Sequence, residues 1–309
     1  MRYSRVIKII ICTAILLLIH NAGFTQLMTP FTPRFSARLN GDFVSIGNNV
    51  LSTTATGNYT GDAGNHNLVT VFVDIDNDAT TFNSSSANFT KPVPNTTCVS
   101  IKKAYLYWAA ADFEESTISN EPSWSYNTAK LMLPGSSTYT TITADNVIFC
   151  GRCQTNHFQN DPYICVKDIT AQVQALTSPY GKYQVANVRA KKGSLNPAHP
   201  SGNVGTSGGW QIVFVYESTA AGSTTLPSKY ITIFDGYANV SSSQNNYDIT
   251  MSGFQTPPTG NISTRILFGA LEGDRDLTGD RFQIKNVANS FVDLSTANRP
   301  ANNFFEVIV

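Results

Sequence analysis

From residue 67 onward, short apolar runs recur with turn chemistry between them, the pattern expected of a β-sandwich. The runs predict strands over residues 68–75, 101–109, 129–133, 138–149, 183–190, 211–216, 231–234, 247–251 and 266–269. In the first of these, Val71, Val73 and Ile75 share one face at period two. The 211–216 run is apolar on both faces, with Ile212, Phe214 and Tyr216 on one and Val213 and Val215 on the other. It therefore reads as a central strand covered on both sides. One helix is predicted over residues 169–176, with Asp168 as N-cap, Val173 and Leu176 on one side, and Pro179 and Gly181 as the stop. The fold class this implies is all-β, a sandwich or jelly-roll with one short helix.

Upstream the pattern changes. Residues 27–66 are polar and broken by Pro30, Pro33 and several glycines, so they read as an extended lead-in with one strand around Phe43-Val44-Ser45-Ile46. Before them, Arg2, Arg5 and Lys8 precede an apolar run, residues 9–19, and then a short polar stretch with small residues, 20–26. That order is a secretory signal peptide, and the run is too short for a bilayer span of roughly 20 residues. Ile11 rather than a small residue precedes Cys12, and the apolar run continues past it, so Cys12 is filler rather than a lipidation site. The expected organisation is a signal peptide over 1–26, a lead-in over 27–66 and a β-sandwich domain over 67–309. The destination is the medium or the outer cell surface. No later apolar run is long enough to cross a membrane as a helix.

Composition narrows the function. Only 14% of residues are charged and the formal net charge is zero, so there is no electrostatic footprint for nucleic acid or an anionic membrane. At 41% hydrophobic and 11% aromatic, the chain has ample material for a packed core. Cys98, Cys150, Cys153 and Cys165 remain after the signal peptide, an even number in an exported chain. Four cysteines allow three connectivities. A pairing that ties Cys98 to the later cluster is expected, because a Cys150–Cys153 bond closes too short a loop to stabilise much.

Two acidic clusters stand out against this background. Asp74, Asp76 and Asp78 alternate at the end of a strand, and Glu272, Asp274, Asp276 and Asp280 surround Gly273 and Gly279. Alternating carboxylates beside a glycine can converge on a hard cation, which makes these residues candidate calcium ligands. Neither cluster matches the EF-hand pattern, and each competes with a plain turn in which Asp side chains cap backbone amides. Arg275, inside the second cluster, offers its carboxylates another partner. Cys150-Gly151-Arg152-Cys153 has dithiol spacing, but a strand precedes it and a polar loop follows, not the helix N-terminus that redox catalysis needs. Adding His157 and Cys165 makes a set that zinc could accept, against which a structural disulfide is favoured in an exported chain.

Other motifs dissolve on inspection. The turn Gly205-Thr206-Ser207-Gly208-Gly209 lacks an identifiable histidine–aspartate pair, since His66, His157 and His199 all sit in polar loop text. Tyr105 and Tyr107 share a strand face opposite Leu106 and Trp108, and Trp108 reads as core rather than as a sugar platform. Sequons at Asn58, Asn83, Asn88, Asn95, Asn239 and Asn261 mark expected surface loops.

Four blocks together carry a resemblance: Phe72-Val73-Asp74-Ile75-Asp76-Asn77-Asp78 with the following Thr-Phe-Asn-Ser-rich stretch, Ala104-Tyr105-Leu106-Tyr107-Trp108-Ala109-Ala110, Gly209-Trp210-Gln211-Ile212-Val213-Phe214-Val215-Tyr216-Glu217, and the Glu272–Asp280 cluster. The chain from about Leu68 onward resembles the N-terminal β region of large secreted, adhesin-like surface proteins of gliding bacteria. Those proteins continue into repeats and end in a gliding-motility-associated C-terminal sorting domain. This chain shows neither and stops at an apolar, strand-like ending, so its sandwich is expected to be a fragment or a short relative. The resemblance implies a non-enzymatic surface or secreted module whose partners are surface glycans or other surface proteins. The competing expectation is a secreted carbohydrate-binding or carbohydrate-active protein.

Overall fold

The computed structural model describes residues 27–57, 70–112, 125–154, 161–193, 206–222, 224–240, 246–256, 258–260, 262–270, 278–296 and 299–305. The expected signal peptide lies outside these residues, as do Glu272, Asp274, Asp276, His66, His157, His199 and the sequons at Asn58 and Asn261. Among the described residues every strand pairing within the sheets is antiparallel, and one short helix occurs. The fold is an all-β sandwich.

One sheet has six strands in the order β12 (Ser228–Ala238), β1 (Leu27–Asn49), β11 (Gly208–Ser218), β5 (Val99–Ala111), β9 (Pro162–Asp168) and β8 (Asn146–Cys150). The second has four: β4 (Ser84–Phe89), β10 (Gly181–Ala186), β6 (Thr128–Met132) and β7 (Thr140–Thr143). Two small ribbons complete the set, β2 (Leu51–Ser52) with β3 (Val71–Phe72), and β13 (Gln283–Lys285) with β14 (Phe291–Asp293).

The core lies between the two sheets. β5 sends in Ala104, Leu106, Trp108 and Ala110, and β11 sends in Trp210, Ile212, Phe214 and Tyr216. The four-stranded sheet answers with Phe89, Ala129, Leu131, Ile142, Tyr183 and Val185. Phe214 stacks on Phe89 at a centroid distance of 4.1 Å and meets Tyr183 edge-on at 5.4 Å. Fully burying side chains of this kind contributes about 1.5–3 kcal/mol each. Trp108 is completely buried, as its position opposite Tyr105 and Tyr107 predicted.

β11 is covered on its other face as well. Val215 is fully buried in a smaller cluster with Leu39 and Ile231, flanked by Phe35, Ala37, Phe43 and Ile233. The cover comes from β1, a strand of 23 residues with two partners. Residues 27–40 pair with β12, and residues 41–49 pair with β11. The ribbon of β12 and the first half of β1 thus crosses the outward side chains of β5, β8 and β11. Thr29 Oγ1 donates to the Ile148 carbonyl at 2.8 Å, and Tyr237 stacks on Phe149 at 4.3 Å. The partner change occurs at Gly41, where a Cβ would run into the Tyr216 carbonyl oxygen and come within 2.9 Å of Glu217 Cα. Close approach of two backbones is what requires glycine there.

The expected lead-in over 27–66 is therefore corrected: its first 23 described residues are a strand inside the main sheet. Pro30 and Pro33 are tolerated because the β1–β12 register shifts between Thr29 and Thr32 and again between Pro33 and Phe35. Other expectations also shift. The 138–149 run divides into β7 and β8, and of the described part of the 68–75 run only Val71–Phe72 is a strand. Residues 247–251 and 266–269 form no strand. β4 and β9 were not anticipated. The helix, α1 (Thr170–Gln174), is shorter than predicted and Ile169 occupies its cap position, while the Asp168 carboxylate accepts from the Thr170 amide at 2.9 Å. Ile169 and Val173 are buried by it, and Leu176 is not.

Candidate functional site

The three carboxylates Asp74, Asp76 and Asp78 occupy a loop held from both ends. On one side, β2–β3 pairing and the bond from the Val73 amide to the Val50 carbonyl fix the entry. On the other, the fully buried Asn83 exchanges two hydrogen bonds with the Val188 backbone, and Asn187 Oδ1 accepts from the Phe82 amide at 2.9 Å. Asn83 is thus a buried clamp, not the surface sequon the sequence suggested; Asn88 and Asn95 are exposed as expected.

Within the loop, the Ser84 hydroxyl lies 3.0 Å from Asp74 Oδ1 and 2.9 Å from Asp76 Oδ1. Asp76 Oδ2 accepts from the Tyr139 hydroxyl at 2.7 Å and from Gln184 Nε2 at 2.5 Å. Amides of Asn77, Asp78 and Thr80 cap Asp74, Asp76 and Asp78 respectively. Burial alone would push the Asp76 carboxyl upward, but hydrogen bonds from Tyr139, Ser84 and the Asp78 amide outweigh it and hold the pKa below its ordinary value. Asp78 is lowered chiefly by the Thr80 amide. Hydrogen-bond donors face these oxygens. Turn chemistry accounts for the cluster, and among the described residues no group of three or more metal-ligating side chains is assembled. Asp280, the described member of the second cluster, accepts from the Phe305 amide at 3.1 Å.

The aromatic residues of β5, together with Trp210, are committed as well. Trp108 and Trp210 are buried, their indole N–H groups donating to the Tyr126 carbonyl and to Ser85 Oγ. Tyr105 is buried beneath Arg34, and Tyr107 donates to Asp235 Oδ1 at 2.9 Å. Arg34 also pairs with Asp235 and reaches Asn146 Oδ1 at 3.1 Å, at the edge of an open cleft of about 350 Å³ between the β1–β12 ribbon and β8.

The cysteines depart from expectation. Cys150 bonds to Cys153, whereas Cys98 is an exposed free thiol and Cys165 a buried one. The preferred tie from Cys98 to the later cluster is overturned by placement: Cys98 immediately precedes β5, and Cys165 on β9 faces the core with Tyr126 O 3.6 Å from its sulfur. Burial pushes the Cys165 thiol up to about 12, so it is unreactive. The low stabilising value of the short loop still holds. Closing four residues is worth about 2 kcal/mol in the chain-entropy model, against about 4 for a loop of about fifty.

What the short loop does is carry Arg152. Arg152 Nη1 lies 3.8 Å from Asp112 Oδ2, and its Nε lies 3.9 Å from Asp161 Oδ2. Arg189 Nε reaches the same Asp112 oxygen at 2.6 Å, and the Arg189 carbonyl accepts from the Tyr163 hydroxyl. The Asp112 and Asp161 side chains are 3% and 0% exposed. Two arginines thus face two carboxylates inside a chain that has few charges. Sequence reasoning missed this set because its members lie on four separate segments; Arg189 between Val188 and Ala190 was the one visible signal.

Comparison of the chain with family models, with curated proteins and with solved structures gives no match.

Two outcomes follow for the acidic loop. Because the folded-state pKa of Asp76 is lowered, its contribution is complete above about pH 3.8 and is lost as the pH falls below that value. Asp76→Asn is expected to cost about 0.5–1.5 kcal/mol at pH 7 and progressively less as the pH falls below 3.8, read by urea denaturation across that range. The donor-filled geometry also predicts that Tm at pH 7 is the same with chelator and with added calcium. A calcium-dependent rise that Asp74→Asn abolishes would instead place the cation among these carboxylates.

Proposed function

We propose that this chain is an exported, non-enzymatic module of adhesin type, secreted or displayed on the outer cell surface. One observation carries the reading: among the described residues, the candidate carboxylates and tryptophans are spent on holding the sandwich. Asp76 is engaged by Ser84, Tyr139 and Gln184, Asp112 is engaged by two arginines, and Trp108 and Trp210 lie in the core. The signal-peptide pattern, the neutral charge-poor composition and the disulfide support export into an oxidising space. The presented surface is accordingly uncharged overall and rich in hydroxyl and amide groups, which suits surface glycans or other surface proteins as partners. The resemblance to adhesin-like surface proteins of gliding bacteria points the same way.

Calcium enters this proposal only by displacing the donors at Asp74, Asp76 and Asp78. The carbohydrate-active alternative is weaker, since its aromatic platform would draw on Tyr105, Tyr107 and Trp108, and these lie in the core or under the β1–β12 ribbon.

In cells that make the protein naturally, fractionation with protease added to intact cells tests the proposal. The mature chain, with its new N-terminus between residues 22 and 27, should appear in the medium or be digested at the surface. An uncleaved chain that stays with the cytosol and survives the protease contradicts it.

A further inference from the structure

Thiol–disulfide chemistry at Cys150–Cys153 goes beyond the proposed function, and rests on it only in placing the chain where an extracellular dithiol can reach it. The two sulfurs are unequal. Cys150 ends β8 and is 7% exposed, whereas Cys153 is exposed, 3.4 Å from the Tyr126 hydroxyl. The turn between them is seated on β9: the Gly151 amide donates to the Pro162 carbonyl at 2.7 Å, and a Cβ on Gly151 would lie 2.7 Å from Asp161 Cα. The next residue, Arg152, is the cation facing Asp112 and Asp161. A bond that closes so short a loop does little to the unfolded chain, so its consequence is local.

We propose that the Cys150–Cys153 disulfide is an exchange site for an extracellular dithiol, and that its cleavage releases Arg152 from the buried carboxylates Asp112 and Asp161. The incoming thiolate attacks the accessible Cys153 sulfur, the S–S bond breaks, and Cys150 leaves as the thiolate and takes up a proton. The second thiol of the partner then attacks the mixed disulfide and frees Cys153. Two electrons and two protons pass to the protein, and the partner departs as its own disulfide. The protein is the substrate of this exchange, not its catalyst, in keeping with a strand rather than a helix leading into the motif. Exposed disulfides are the labile class. With the turn no longer closed, Arg152 leaves its two carboxylates, and the end of the sandwich formed by β8 and β9 opens locally.

The test uses the oxidised chain carrying Cys98→Ser, so that the exposed thiol does not contribute. Low-millimolar dithiothreitol in native buffer should render Cys150 and Cys153 alkylatable while Cys165 stays protected, as read by mass spectrometry. Hydrogen exchange of the Gly151 amide should rise about tenfold or more, while the β5 and β11 amides are unchanged. In the same background, Cys150→Ser should leave a thiol at 153 that reacts with an aromatic disulfide reagent about tenfold faster than the thiol left at 150 by Cys153→Ser. A bond that reduces only with global unfolding, a Gly151 amide indifferent to reduction, or the reverse order of thiol reactivity would each overturn the proposal. Arg152→Gln in the oxidised protein should reproduce the local opening without reductant. If that variant does not fold, Arg152→Lys, which keeps the charge but not the forked geometry, is expected to give a smaller increase of the same sign.

Discussion

The two-sided burial of β11 is the constraint from which the rest of the fold follows. Ile212 and Phe214 are fully buried on one face and Val215 on the other, so this strand needs a layer above and a layer below. The four-stranded sheet supplies one. The other is supplied by the first half of β1 and by β12, which cross the outside of the main sheet before β1 turns at Gly41 to pair with β11 itself. A single strand therefore acts as neighbour along the sheet and as part of the roof above it. That economy explains why Arg34, Asp235 and Tyr107 meet, and why the aromatic residues of β5 are hidden on both faces.

How far this was legible depends on which face of each strand was apolar. β11 and β5 could be read directly, because alternating large hydrophobes admit few alternatives, and Trp108 fell in the core as expected. β1 was hidden by Pro30 and Pro33, which ordinarily argue against a strand and are accommodated here by register shifts. β4 was hidden by its serines. Ser84, Ser85 and Ser86 look like turn residues, yet they are buried: Ser84 serves the acidic loop and Ser85 accepts from the Trp210 indole. Polar residues can line an interior when every partner is provided, and a single sequence does not reveal partners that lie over a hundred positions away.

The same reason governs the chemistry. Asp74, Asp76 and Asp78 were visible as a group because they lie close in sequence, but the donors to Asp76, Tyr139 and Gln184, come from elsewhere and hold it in a hydrogen-bonded clasp. The cysteines show the converse. Loop entropy ranks Cys150–Cys153 as a weak staple, yet geometry selected it, since Cys165 faces the core and Cys98 lies just before a different strand. In a chain with few charges, the buried Asp112, Asp161, Arg152 and Arg189 are costly to desolvate, and breaking such a set by removing one partner costs about 3–5 kcal/mol. Their placement beside the disulfide links the one covalent cross-link described in the structure to its most concentrated electrostatics.

Hydrogen exchange followed by mass spectrometry, resolved to peptides from residues 27–49, bears most directly on the central role of β1. If this strand roofs β11 and pairs with it, its amides exchange as slowly as those of β5 and β11, through the same global opening. Fast exchange across residues 27–49, with β5 and β11 still protected, would mean that the sandwich holds without β1 and that the account of its architecture is wrong.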